Sequence, residues 1–245
     1  GGVINRVTKK PLAETRRQVS TTVGSYATFN AYADFTGKLN PKGSLLYRLN
    51  LGYENTDSYR DLQGGQNFIV APSFSYVPNH RTQFNVDVFY QQYTGKIDRG
   101  QSIFGDGDLY SVPISRSLSA ANDYLKERLV NITLGLTHKF TDRISFNSTY
   151  LNSSYDEDMQ EHNQANAYVL NADSSQNNSR VLMQAMIRKR HFRNNSFNNY
   201  LNVGFNTGRA QHTLLVGWDY FQTDLLPGTS ALTARGYLLK NRSEE

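Results

Sequence analysis

One alternating segment, QFNVDVFYQQ at residues 83–92, decides the fold class. Its even positions are Phe84, Val86, Val88 and Tyr90, whereas Asn, Asp and Gln occupy most of the odd positions. Successive side chains of a β-strand point to opposite faces of a sheet. The segment is therefore predicted to form a strand with one apolar face and one polar face.

The same period recurs along the chain, and no long helical stripe of apolar residues competes with it. An all-β fold is therefore expected, with about nine strands. The predicted strands lie near Arg16–Gly24, Ala27–Lys38, Ser44–Asn55, Gln66–Val77, Thr82–Thr94, Glu127–Phe140, Arg143–Tyr155, Arg180–Asn206 and Gln211–Thr223.

Tight turns and long polar loops join the predicted strands in alternation. The turns contain Pro, Gly, Asn and Asp, as in Asn40–Gly43, and the long loops are predicted near residues 56–65, 95–126 and 156–179 and from 224 onward. This order describes an antiparallel up-and-down meander with all its long loops at one end. Transmembrane β-barrels of the outer membrane have that layout.

The two faces of the predicted strands differ in composition. The chain is polar on average, with a mean hydropathy of −0.59, although it contains 16 Tyr and 13 Phe among 245 residues. Its polar face is mostly Asn, Thr, Ser, Gln and Gly, and its apolar face carries aromatic residues near strand ends. A soluble sandwich would carry more charge on its solvated face, so the pattern favours a membrane barrel with a wet lumen.

Composition and motifs disfavour several other classes of protein. The chain has no Cys, which excludes disulfide scaffolds and thiolate chemistry, and no apolar run approaches the roughly 18 residues of a spanning helix. A net charge of +5 without a basic stripe disfavours nucleic-acid binding. The five His lack zinc-site spacing and no G-x-S-x-G is present, so we expect no enzyme activity, no metal site and no cofactor.

A motif stands at the beginning of the chain. The segment GGVINRVTKKP, residues 1–11, resembles the end of the plug domain of TonB-dependent outer-membrane receptors, where such a segment precedes the first barrel strand. Four further segments resemble landmarks of the ferric-siderophore branch of that family and follow in the family's order: Tyr47–Leu49, Val70–Pro78, Asp98–Gly100 and Asn195–Phe197. The resemblance covers essentially the whole chain.

The resemblance implies a domain division and a function. Residues 1–12 would be the C-terminal end of the plug, and residues 13–245 the N-terminal portion of a barrel that closes with 22 strands, so the chain is expected to be a fragment. The implied activity is TonB-coupled import of a ferric siderophore across the bacterial outer membrane. The implied partners are the siderophore, the energy transducer TonB, and outer-membrane lipid and lipopolysaccharide.

The same resemblance implies that ligand is captured at the extracellular mouth, where aromatic surfaces and hydrogen-bond donors are needed. The loop after the fifth predicted strand offers Arg99, Phe104 and Tyr110, and Tyr155 lies at the upper end of a strand. As alternatives, Asp98 and Arg99 would pair with each other, and Tyr93, Tyr150 and Tyr155 would belong to an aromatic girdle at the membrane interface.

A basic run in the eighth predicted strand adds two candidates. If side chains continue to alternate between the two faces along the upper part of this strand, Arg188 and Arg190 point inward and give the lumen a field that attracts anions. Lys189, His191 and Arg193 then point outward toward lipopolysaccharide phosphates. The alternative is a solvated strand extension without a role in binding.

Two other functions are open at this point. The first is a receptor for another scarce nutrient, such as cobalamin, haem or an oligosaccharide. The second is a small passive outer-membrane barrel or an adhesin of about ten strands, in which the opening Gly-Gly segment is accidental.

Overall fold

The computed structural model describes residues 2, 7–100, 108, 110 and 112–239. These residues form one antiparallel sheet of ten strands. The strands are β1 (Arg16–Val23), β2 (Phe29–Lys38), β3 (Leu45–Asp57), β4 (Gly64–Asn79), β5 (Thr82–Gly95), β6 (Tyr124–Lys139), β7 (Ile144–Leu170), β8 (Gln176–Thr207), β9 (Ala210–Leu225) and β10 (Ser230–Leu239). The described residues contain no helix long and apolar enough to cross a membrane.

Each strand pairs with the next one along the chain from β1 to β8, and β8 then has two partners on its other edge. Strand β9 pairs with residues 192–207 of β8, and β10 pairs with residues 180–189. Because both are antiparallel to β8, β10 continues the line of β9 after a four-residue interruption at 226–229. The ten elements therefore occupy nine strand positions, and the predicted antiparallel meander is confirmed.

Short turns lie at one end of the sheet. Residues 39–44, 80–81, 140–143 and 208–209 connect the strand pairs there. In the first of these turns the amide of Gly43 donates to the Asn40 carbonyl at 3.0 Å, and Gly43 has a φ of 69°. That left-handed conformation favours glycine, which explains the residue at this position.

Two of the predicted long loops are wrong. The segment expected as a loop at 156–179 is mostly strand, because β7 and β8 run on and only residues 171–175 connect them. The loop expected from 224 onward is a short interruption before β10. At residues 156–164 of β7 polar residues occupy both faces, so the alternation that marks the other strands is missing although the backbone still pairs.

The other two long connections lie where the sequence predicts them, and they pack on each other. Residues 58–63 join β3 to β4, and residues 96–123 join β5 to β6. The amide of Asp61 donates to the Ser115 carbonyl at 2.7 Å, and Gln63 Nε2 donates to the hydroxyls of Ser117 and Ser119 at 3.0 and 2.6 Å. These contacts bury the longer loop against the shorter one.

The sheet has an apolar face and a polar face. The N-terminal segment, residues 7–12, lies on the polar face through contacts with Asp34 and Asp87, and we call this the inner face. The opposite, outer face carries large apolar side chains that stay exposed, including Phe84 at 44%, Val216 at 55% and Trp218 at 60%. Exposed apolar surface of this extent is typical of a face that contacts a membrane or another protein.

Candidate functional site

Two ion pairs hold the N-terminal segment against the lower inner face. Lys9 Nζ lies 3.0 Å from Asp34 Oδ2, and Lys10 Nζ lies 2.6 Å from Asp87 Oδ2. The side chain of Asp87 is only 3% exposed and also accepts a hydrogen bond from the Ser73 hydroxyl. Charge-assisted bonds to a carboxylate buried to this degree fix the position of the segment firmly.

Arg48 connects the segment to the strands beneath it. Its Nε and Nη2 atoms donate to the two carboxylate oxygens of Asp34 at 2.8 and 2.6 Å, and its Nη1 donates to the Lys10 carbonyl at 2.9 Å. Thr36, which is fully buried, accepts a hydrogen bond from the Leu12 amide at 2.9 Å. Backbone and side chains of the segment are therefore both bonded to β2 and β3.

A second polar cluster lies higher on the inner face, where β6, β7 and β8 meet. We call it the upper cluster, and its members are Glu127, Tyr155, Glu157, Arg188 and Arg190. Arg188 donates to both oxygens of Glu157 at 2.6 and 3.1 Å, and Arg190 Nε lies 3.7 Å from the same carboxylate. Tyr155 is hydrogen-bonded to Glu127 and to Glu157. The carboxylates thus neutralise much of the positive charge that the arginines bring.

Arg188 belongs to the part of β8 beyond the membrane. Strands β7 and β8 have 27 and 32 residues, far more than the roughly 9–11 that cross a bilayer, and Arg188 is remote from the short turn that ends β8. The hydrogen bonds that Arg188 donates to Glu157 raise the pKa of Arg188, so its guanidinium stays charged.

The tyrosines predicted for the membrane-interface girdle divide between the two faces. Tyr93 pairs with Glu127, and Tyr155 is bonded to Glu127 and Glu157, so both point inward. The girdle alternative is wrong for these two because the parity of their strands places them in the lumen. Tyr150 lies on the outer face, where its hydroxyl donates to Asn195 at 2.9 Å.

Two glycines make room for Tyr93. A Cβ atom at Gly65 or at Gly95 would lie 2.5 Å from the Tyr93 hydroxyl, so neither position accepts a side chain without displacing the ring. Gly65 therefore belongs to the wall of the lumen, at the start of β4.

The long loop at 96–123 is fixed to the inner face by arginine pairs. Arg99 donates through Nε and Nη2 to Glu161 at 3.1 and 3.0 Å, and Asp98 accepts from Arg60 at 2.9 Å. The alternative in which Asp98 and Arg99 pair with each other is therefore wrong. It failed because each residue finds an opposite charge on a neighbouring element, and Glu161 is buried with 4% of its side chain exposed.

A cavity of about 440 Å³ lies between this loop and the upper parts of β7 and β8. Its lining is Arg99, Gly100, Leu118, Glu161, Asn163, Gln164, Gln184 and Met186. The volume falls within the range of about 300–1,000 Å³ that is usual for small-molecule sites. In the part of the chain that is described, no group of three or more His, Cys, Asp or Glu residues is arranged to hold a metal ion.

Comparison with known proteins finds similarity to receptors and transporters for metal chelates. No family model matches the chain. It is 28% identical over 228 residues to the metal-pseudopaline receptor of Pseudomonas aeruginosa, covering 90% of this chain and 30% of the relative. It is 24% identical over 238 residues to the ferrichrome outer membrane transporter and phage receptor of Escherichia coli, covering 91% of this chain and 32% of the relative.

The fold agrees with this relationship. The closed form of the ferric-catecholate import receptor Fiu from Escherichia coli superimposes with a TM-score of 0.78 at 17% identity, covering 91% of this chain and 33% of that one. The chain is similar to TonB-dependent outer-membrane receptors in sequence and in fold. It lies in the outer membrane, as predicted, and it spans about a third of the length of the curated relatives it matches.

The sheet brings some of the predicted site residues together and leaves others apart. Arg188 and Arg190 point inward, as their parity predicts, and share the upper cluster with Tyr155. Arg99 lines the cavity, and Tyr110 is 91% exposed on the same loop. Phe104 lies outside the described residues. That any of these side chains touches ligand stays a prediction.

The sequence pattern does not predict the acidic half of the upper cluster. The sequence predicts a polar loop at Glu157, but β7 continues through this residue and pairs it with Arg190. A signal was present, because Asp156-Glu157-Asp158 is opposite in charge to the basic run at 188–191. Two such runs at the ends of consecutive strands are the pattern expected of cross-strand ion pairs.

Proposed function

We propose that this chain forms part of the barrel wall of a receptor that captures a ferric siderophore at the cell surface and imports it by TonB-coupled active transport. The observation that carries the proposal is the alignment of 90% of the chain with a metal-chelate receptor. Neither alternative function is proposed, because the relatives named above are a metal-pseudopaline receptor and a ferrichrome transporter, and not a receptor for cobalamin, haem or an oligosaccharide or a passive barrel. No enzymatic step and no cofactor belong to the proposed function.

The proposal includes the domain division. Residues 1–12 are the end of the plug and residues 13–245 begin a barrel that closes with 22 strands. The ion pairs of Lys9 and Lys10 support this division, because a plug inside a barrel must be attached to the lumen side of the wall. The proposed energy transducer TonB acts on the plug, and its pull reaches the barrel wall through these contacts.

The ligand is proposed to contact the wall from the lumen, above the plug. Tyr110 is 91% exposed, and Arg190 is 39% exposed and lies 3.7 Å from Glu157, so these two side chains are held less tightly than the candidates that make shorter bonds to carboxylates. Arg99, Arg188 and Tyr155 are bonded to carboxylates and are proposed to shape the wall around the ligand.

Lipid and lipopolysaccharide are the proposed partners of the outer face. The apolar residues of β5 and β9 suit acyl chains. Farther up, Lys189 lies 3.6 Å from Asp158 and His191 lies 2.8 Å from Asp156, so the outer charges are partly balanced by acids on β7. Lipopolysaccharide phosphates would compete with these acids for the basic side chains.

Uptake of radioactive iron by cells that carry or lack the full-length gene tests the proposal. Uptake from at least one ferric siderophore should depend on this gene and should disappear in a strain without TonB. Uptake that is unchanged by deletion of the gene, across hydroxamate, catecholate and carboxylate siderophores, would refute the function.

A further inference from the structure

Building on the proposed function, we propose that the cavity between β7, β8 and the loop at 96–123 binds the amide and hydroxyl groups of an electrically neutral metal chelate, and that it disfavours polyanionic chelates. The cavity has the volume of a ligand site and lies on the inner face, where the ligand of such a receptor must pass. Charge balance and the hydrogen-bonding capacity of its lining decide the class of ligand.

The charges around the cavity cancel. Its charged lining residues are Arg99 and Glu161, and these are joined by two hydrogen bonds at 3.0 and 3.1 Å. In the upper cluster below it, Glu157 neutralises Arg188 in the same manner. A polyanion would have to displace a carboxylate from a bidentate guanidinium pair, which exchanges one strong contact for another without net gain. A neutral ligand meets no such competition.

An acceptor without a partner lies in the lining. Asn163 Nδ2 donates to Glu161 Oε1 at 2.9 Å, and a carboxylate bound to arginine can only accept, so the amide orientation is fixed and Oδ1 is the free acceptor. Within the described ranges, this oxygen has no hydrogen-bond partner, and Asn163 is only 6% exposed. A small side-chain shift that admits an N–H or O–H group of a ligand would satisfy it.

A donor stands directly opposite this acceptor. Gln184 pairs with Asn163 across β7 and β8, lines the same cavity, and makes no side-chain hydrogen bond with the described residues. Together the two side chains offer one acceptor beside an amide that can both donate and accept. This combination matches the N–H and C=O groups of a peptide backbone, while Leu118 and Met186 supply apolar contact for the carbon skeleton of the chelate.

Isothermal titration calorimetry on the full-length receptor in detergent tests the proposal with two probes. The first is a neutral ferric trihydroxamate with a peptide backbone, and the second is a ferric tris-catecholate, which is a polyanion. We expect the receptor to bind the first probe more tightly. Gln184→Leu should weaken that binding by about tenfold, as expected for one lost hydrogen bond in a desolvated site.

The matched control is Gln176→Leu, the same substitution on the same strand but away from the cavity, and it should bind like the wild type. If Gln184→Leu does not fold, judged by circular dichroism, Gln184→Asn shortens the amide and should weaken binding of the trihydroxamate as well. Tighter binding of the tris-catecholate, or equal binding by the Gln184 and Gln176 variants, would overturn this inference and leave the proposed function standing. A wild-type receptor that binds neither probe and supports no chelate-dependent iron uptake would overturn both.

Discussion

Replacing Lys10 with methionine should loosen the N-terminal segment from the barrel wall. Methionine keeps the length of the side chain but removes the ammonium group that lies 2.6 Å from Asp87. Asp87 would then remain 3% exposed with the Ser73 hydroxyl as its remaining hydrogen-bond donor among the described side chains. When the segment lifts off, water reaches Asp87, so the substitution disfavours the attached state specifically.

The magnitude follows from the exposure of the two partners. Removing one partner of a fully buried ion pair costs about 3–5 kcal/mol, whereas an exposed pair contributes about 0–1 kcal/mol. The Lys10 side chain is 49% exposed and that of Asp87 is 3% exposed, which places this pair between the limits at about 2 kcal/mol. At 1.4 kcal/mol per factor of ten, the detached population should rise about 30-fold.

Hydrogen exchange of the Leu12 amide, followed by mass spectrometry on the full-length receptor, measures this change. That amide donates to the buried hydroxyl of Thr36 at 2.9 Å and exchanges when the segment detaches. The matched control is Lys9→Met, because Asp34 keeps the two hydrogen bonds from Arg48 when Lys9 is removed. This control should accelerate exchange by about threefold or less, in line with an exposed pair.

A second substitution distinguishes the loss of the ion pair between Lys10 and Asp87 from the cost of leaving the Asp87 carboxylate unpaired. Asp87→Asn in the Lys10→Met background removes the unpaired carboxylate, and exchange should return most of the way to the wild-type rate. The reasoning is refuted if the Lys10 and Lys9 variants exchange alike, or if the double variant exchanges as fast as Lys10→Met alone.

Three further predictions follow from other parts of the wall. Glu157→Gln should leave Arg188 without its carboxylate and strengthen binding of a polyanionic ferric chelate about tenfold at low salt, with the gain lost at high salt, as measured by calorimetry. Arg99→Ala should release the loop from Glu161 and speed tryptic cleavage after Arg116 by about tenfold, while cleavage after Arg209 in the turn between β8 and β9 stays unchanged as the internal control. Val216→Lys on the outer face should destabilise the receptor in lipid vesicles by about 2–4 kcal/mol in urea unfolding, whereas Thr213→Lys on the inner face of the same strand should have a much smaller effect.

The sequence predicts the fold well where the two faces of a strand meet different solvents. At residues 83–92 lipid selects apolar side chains on one face and water selects polar ones on the other, so the period is visible. Beyond the membrane both faces of β7 and β8 meet water or polar neighbours, and the period vanishes although pairing continues up to residue 170. The failed loop prediction at 156–179 thus marks where the hydrophobic signal ends.

The sequence predicts the direction of a site residue wherever the alternation of side chains between the two faces can be counted along its strand. The inward direction of Arg188 follows from counting along β8, but its partner Glu157 requires the register between two strands, which no single-strand pattern contains. The bond between Arg99 and Glu161 depends on the course of a long loop, and residues 62 positions apart in the sequence give no local signal of such contact. Partners this far apart in the sequence are identified only from the three-dimensional structure.

The inner charges also help to specify the fold that presents them. Arg48 on β3 and Asp34 on β2 share the inner face of the sheet. A slip of one residue between these strands would place the two side chains on opposite faces. Arg48 would then face lipid, which costs about 2–4 kcal/mol near the middle of the bilayer, while an apolar neighbour would take its place against the Lys10 carbonyl and leave that acceptor unpaired. The register is therefore enforced from both sides of the wall. Arg48 and Asp34 both contact the N-terminal segment and exclude the wrong register. A substitution at either position should therefore disturb attachment of the segment and assembly of the barrel together.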